Sequence, residues 1–153
     1  MSLPIPALEH AFDVEVLLGP LEDHGTTRAG HRRVVPIVGG VISGELDAVI
    51  LAGGADWQIV RADGAIEIDG RYSARTPEGD LLYLHAVGVR SGAPEVLDAL
   101  LRGERVDASA YYFRTTVTIE TSAPRLGHLE QSVFVAAAER GADTVRYAAY
   151  RVT

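Results

Sequence analysis

Apolar and polar residues alternate with a period of two along most of this chain. In Leu8 to Leu18, the residues Phe12, Val14, Val16 and Leu18 fall on one side. Such alternation predicts half-buried β-strands. His31 to Gly44 is a longer extended run. Pro36 within it suits an edge, a bulge or a barrel corner, and Gly39-Gly40 suits a sharp bend. Leu46 to Leu51 and Trp57 to Arg61 read as short strands around Ala52-Gly53-Gly54-Ala55. Ala65 to Arg75 and Leu81 to Arg90 follow as partners. Asp63-Gly64 introduces the first of them as a hairpin signal, and Pro77-Glu78-Gly79-Asp80 turns between the two. Ser109 to Thr121, Ser132 to Glu139 and Thr144 to Val152 complete the series, the last two meeting at Gly141. Gly19 to Gly30 is mainly polar, carries Pro20 and Gly25, and reads as a loop.

One segment leaves the pattern. Val96, Leu97, Leu100 and Leu101 have helical spacing, Pro94 suits the first helical position and Gly103 suits the C-terminal cap. Pro94 to Leu101 is therefore expected to form a single helix of about two to three turns. About eight or nine strands, with short spacing and Gly-rich turns, make the chain all-β and mainly antiparallel. A closed barrel or a sandwich satisfies that pattern, and closure removes exposed edges. The 153 residues are expected to form one domain, residues 1–153, with no linker or repeat.

Composition narrows the function classes. The formal net charge is −7 and no basic run exists beyond His31-Arg32-Arg33, so no nucleic-acid partner is expected. Apolar stretches such as Ala48 to Leu51 and Val133 to Ala138 are far shorter than the roughly 18 residues of a membrane span, so no membrane partner is expected. The first seven residues lack a basic region and an apolar run, so no signal peptide is expected. With no cysteine, disulfides and thiolate chemistry are excluded, which fits a cytoplasmic protein. All 14 basic residues are arginine and asparagine is absent too, as codon bias in a GC-rich bacterial genome would produce. Each arginine must therefore be judged by its position.

Gly39-Gly40, Gly53-Gly54-Ala55-Asp56-Trp57-Gln58, Asp63-Gly64, Arg71-Tyr72, Gly88-Val89-Arg90 and Tyr111-Tyr112-Phe113-Arg114-Thr115 stand in one order along the chain. In that combination the sequence resembles the domain of unknown function 3237 family, from about Val14 to the C-terminus. The resemblance implies a closed, lipocalin-like barrel. It implies no established reaction and lends no cofactor. After Pro124 the family pattern carries Tyr and then Trp-Leu-Asn, where this chain has Leu126, His128, Leu129 and Glu130. A ligand touching that segment would meet different side chains here.

Candidate chemistry lies on two polar rows. Glu67, Asp69, Arg71, Ser73 and Arg75 alternate with Ile66, Ile68, Gly70, Tyr72 and Ala74. Tyr112, Arg114, Thr116, Thr118 and Glu120 alternate with Phe113, Thr115, Val117 and Ile119. Ordinary patterning makes both polar rows solvated faces. Turned inward, Arg71 with Tyr72 and Arg114 with Tyr112 would instead clamp a carboxylate or enolate. Asp56 is the candidate catalytic base and Trp57 an aromatic wall, against the plainer reading of a turn-capping aspartate beside a core tryptophan. His85 shares a row with Tyr83 and Val87 and either faces inward or packs as a hydrogen-bonded residue. His10, His24, His31, His85 and His128 show no metal-ligand spacing, so no metal site is expected. No phosphate loop, dinucleotide fingerprint or nucleophile elbow occurs, so no cofactor is expected.

Three functions fit these residues. The barrel binds a small organic metabolite, aromatic or carboxylate-bearing. Alternatively the same cavity houses a cofactor-free acid/base enzyme, an isomerase, cyclase or hydrolase. In the third reading the barrel is packed solid and assembles with copies of itself as a homo-oligomer.

Overall fold

A computed structural model describes all residues, 1–153. Ten strands and one α-helix follow in order: β1 (Leu8–Leu18), β2 (Glu22–Thr27), β3 (Gly30–Gly44), β4 (Ala48–Ile50), β5 (Gly54–Val60), β6 (Ile66–Arg75), β7 (Leu81–Ser91), α1 (Pro94–Leu101), β8 (Tyr112–Thr121), β9 (Val133–Arg140) and β10 (Thr144–Val152). Pairing is antiparallel throughout, and the β1–β3 ladder closes the sheet into a barrel. β4 and β5 occupy one place in the ring, since both lie between β3 and β6. The ring thus has eight places, and β2 is an extra strand outside it. No helix is long and apolar enough to cross a membrane.

Alternation decides which side faces inward. On β6, Ile66, Ile68, Tyr72 and Ala74 are buried while Glu67, Arg71, Ser73 and Arg75 are exposed. On β8, Phe113, Thr115, Val117 and Ile119 are buried while Tyr112, Arg114, Thr116 and Glu120 are exposed. Phe12, Leu82, Leu84, Phe134 and Leu129 fill one half of the barrel completely. The β8–β9 connection, Pro124–Gln131, is a 3-10 turn that plugs that end with Leu126 and Leu129. α1 lies across the other end. It leaves β7 there, buries Leu100, and at Gly103 packs beside Ala142 of the β9–β10 turn.

The structure corrects several sequence expectations. Residues Glu22–Thr27, expected in a loop, form β2. The strand is polar because it pairs only with the start of β3, outside the barrel, and buries no face. The Gly-Gly turn is tighter than expected: only Gly53 turns, at φ 111°, and Gly54 already belongs to β5. Its lack of a side chain lets β6 approach, since a Cβ there would lie 2.4 Å from the Arg71 carbonyl oxygen. At Asp63-Gly64 only Gly64 has positive φ, so the hairpin is a type I turn with a glycine bulge. β8 begins at Tyr112, because residues Ala108–Ala110 make a short 3-10 turn first. Pro36 sits where the edge partner of β3 changes from β2 to β1. The helix occupies Pro94–Leu101 as its spacing predicts.

Candidate functional site

The inward faces at the α1 end carry polar groups where the other end is apolar. Arg33 of β3 and Arg90 of β7 are 6% and 5% exposed. Gln58 of β5 is buried beside Arg33, its strand partner. Arg140 ends β9 with its guanidinium bonded to the carbonyls of Gly141 and Ala142, 2.6 and 3.1 Å away. Asp56 points inward from β5, one pair deeper than Gln58. A narrow cavity of about 50 Å³ continues inward from this layer. Its polar lining comes from Asp56, Thr115, Tyr72 and Tyr147, and its walls are apolar, including Val35, Ile68 and Phe113.

Asp56 occupies a break in the barrel wall. The β5–β6 ladder pairs Asp56 with Gly70 and Ile59 with Glu67, but it is interrupted at Trp57 and Gln58. In the gap, the backbone N–H of Asp69 donates to Asp56 Oδ1 at 2.8 Å. Gln58 Nε2 donates to Asp56 Oδ2 at 2.8 Å, and Arg33 donates to Gln58 Oε1 at 3.4 Å. Burial pushes the Asp56 carboxyl above the ordinary aspartate value, against these two hydrogen bonds and the charge of Arg90. Burial also lowers the guanidinium of Arg33, and it lowers Arg90 to about 10.

The arginines are under-partnered. The Nε atoms of Arg33 and Arg90 are buried with no hydrogen-bond acceptor. Neither residue enters any of the molecule's arginine–carboxylate ion pairs. Arg90 lies instead over the Phe113 ring, 5.1 Å from its centroid. Three guanidiniums thus face one carboxylate in a desolvated layer. Buried donors are nearly always satisfied in folded proteins, so two orphan guanidinium N–H groups demand an explanation.

Deeper in, Tyr72 and Tyr147 join hydroxyl to hydroxyl. Burial raises both phenols above their ordinary range. Two hydroxyls joined by one hydrogen bond leave one O–H proton unspent.

The residues expected from sequence divide between the two sides of the wall. Asp56 and Tyr72 line the cavity. Arg71 is outside, held by Asp69, which His85 also contacts at 2.7 Å. His85 therefore faces outward too. Arg114 and Tyr112 are outside, with the guanidinium 5.5 Å from the Tyr112 ring. Trp57 is 45% exposed on the outer face. Strand parity is the reason: each shares a row with exposed neighbours, while the apolar row beside it fills the barrel. The expected clamps of Arg71 and Arg114 are thus not inside. Leu126 and Leu129 plug the far end, and none of the four departures from the family pattern lines the cavity.

The placement of Trp57 has a direct optical check. As the chain's one tryptophan, it should emit at a solvent-exposed wavelength and be quenched readily by iodide. A blue-shifted emission shielded from iodide would put it inside the wall.

Sequence and structure comparisons agree on kinship. The family described as protein of unknown function (DUF3237) matches residues 6–152. The chain belongs to this family. A UPF0311 protein of Rhodopseudomonas palustris is 39% identical over 143 residues, covering 92% of this chain and 94% of that one. The crystal structure of a conserved Rhodopseudomonas palustris protein of unknown function superposes with a TM-score of 0.92 at 36% identity, covering 99% of this chain and all of that one. A β-barrel-like protein of Acinetobacter baumannii gives 0.85 at 41% identity, with 99% of each chain covered. A structure described as an enzyme from Penicillium herquei, only 19% identical, shares the fold at 0.71, covering all of this chain and 99% of that one. These likenesses support the β-barrel fold.

Proposed function

We propose that the α1 end of the barrel binds a small organic anion, with a carboxylate between Arg33 and Arg90 and its carbon body in the cavity. The observation that carries this reading is the pair of buried guanidinium Nε–H donors without acceptors. A carboxylate accepts two parallel hydrogen bonds from a guanidinium, and such charge-assisted bonds are the strong ones. It would also balance a layer in which Asp56 is the one carboxylate among three arginines. The apolar walls at Val35, Ile68 and Phe113 suit a short carbon skeleton. The narrow cavity sets the size at a few carbon atoms.

Thermal denaturation with three- to six-carbon mono- and dicarboxylates tests the reading. A ligand bound only by the native state at a hundredfold above its Kd stabilises by about 2.7 kcal/mol, which for this chain length is a rise of roughly 5–10 °C. The wild type should show such a rise with at least one acid, and Arg33→Met should lose it. Arg71→Met and Arg114→Met should keep it, because both residues lie outside. A rise that survives Arg33→Met and vanishes in Arg71→Met would move the site to the outer face.

A further inference from the structure

The cavity beneath the arginine layer contains the parts for a proton transfer, beyond simple binding. Asp56 is half-buried, carries a carboxyl whose two oxygens each keep a free lone pair, and lines the cavity. The Tyr72–Tyr147 pair lines the same cavity and holds one unspent phenolic proton. The rest of the cavity lining is mostly apolar. A base and a neutral hydrogen-bond donor therefore line one cavity, and the arginines adjoin it through its lining residues: Arg90 stacks on Phe113, and Gln58 links Arg33 to Asp56.

We infer that this barrel catalyses enolisation of a small 2-oxo acid, with Asp56 moving the proton at the carbon beside the keto group. This rests on the anion-binding reading above. The arginine layer holds the acid's carboxylate, which leaves the keto oxygen and the adjacent carbon to face the cavity. The Asp56 carboxylate takes a proton from that carbon. The C–H electron pair becomes the C=C bond, and the carbonyl π pair moves onto oxygen. The developing enolate accepts the unspent hydrogen bond of the tyrosine pair, and the guanidiniums stabilise its charge. Protonated Asp56 exchanges its proton with solvent and returns one to carbon, or it passes the proton to the enolate oxygen and the enol leaves. The step balances with no oxidant, reductant or cofactor. Burial supports the assignment of Asp56, since a raised carboxyl is a stronger base toward a carbon acid at neutral pH.

The test uses the full chain with 2-oxobutanoate in D2O, following loss of the C3 proton signal by NMR. Thermal denaturation runs in parallel with the same acid. Wild type should speed exchange about a hundredfold over buffer, in the range of positioned acid–base catalysis. Asp56→Asn should fall to the buffer rate while the acid still raises its melting temperature. Tyr147→Phe should exchange several-fold more slowly without losing the thermal shift. If 2-oxobutanoate stabilises the protein but exchanges at the buffer rate, the enolisation inference is overturned and anion binding stands. If exchange persists in Asp56→Asn, Asp56 is not the base and the inference is overturned. If no 2-oxo acid or other carboxylate shifts the melting temperature, the binding reading falls with it.

Discussion

Arg90→Met should make the protein more stable and unable to bind its anion. The guanidinium is buried over Phe113 without an acceptor at Nε, and burial lowers its pKa to about 10. That drop corresponds to about 3 kcal/mol against the charged form. The lost cation–π contact offsets about 1 kcal/mol of it. Methionine fills a similar space without a charge, and buried ionic groups replaced by apolar ones often leave a protein more stable. The expected gain is about 1–2 kcal/mol, or roughly 5 °C in melting temperature at this chain length. Stability lost to an under-satisfied cluster is what a binding site predicts, whereas a structural arginine would destabilise on removal.

The sign of the pH dependence follows. Above about pH 10 the native Arg90 sheds a proton that the unfolded chain still retains. The unfolded state then binds more protons, so wild-type stability rises with pH relative to Arg90→Met. The gap between the two proteins should therefore narrow as pH climbs through 10. Chemical denaturation of the pair at pH 8 and pH 10.5 measures it. A gap that widens would contradict the assignment of a destabilised cation.

The second large effect concerns closure. Gly40 of β3 has φ 140°, and a Cβ there would lie 2.1 Å from the Glu15 carbonyl oxygen of β1. β1–β3 is the ladder that closes the barrel, with Val16 opposite Gly40. Any side chain must push the two backbones apart at that point and also strain its own backbone. Gly40→Ala should cost about 3 kcal/mol or more, and Gly40→Val should yield little folded protein. Gly64→Ala is the matched control, since Gly64 also has positive φ but open space around it. It should cost only about 1 kcal/mol. Urea midpoints of the two alanine variants distinguish them, and equal midpoints would mean that closure does not depend on contact at Gly40.

Much of the fold was legible because parity on long strands is a strong signal. β6 and β8 could be read face by face, and Pro94 with Gly103 bounded the helix to the residue. β2 was not legible, since a strand that buries neither face has no apolar period to read. The site was legible only in part. Family motifs drew attention to Arg71 and Arg114, whose own strand parity sets them outside. The same parity marks the interior arginines. Arg33 shares its row with Val35 and Ile37, and Arg90 shares its row with Leu82, Leu84 and Ala86. A lone arginine on an apolar row was the signal available. Arg140 follows Phe134, Ala136 and Ala138 in the same way, and Tyr147 sits between Val145 and Ala149. Sequence could not show that these residues from separate strands meet at one end, because barrel closure and shear decide that.

The arginine Nε–H resonances test the central claim most directly. With 15N-labelled protein titrated with 2-oxobutanoate, the Nε–H signals of Arg33 and Arg90 should move together and saturate, while those of Arg71 and Arg114 stay in place. Saturating shifts at the outer arginines, with Arg33 and Arg90 unmoved, would show that the barrel interior is not the anion site.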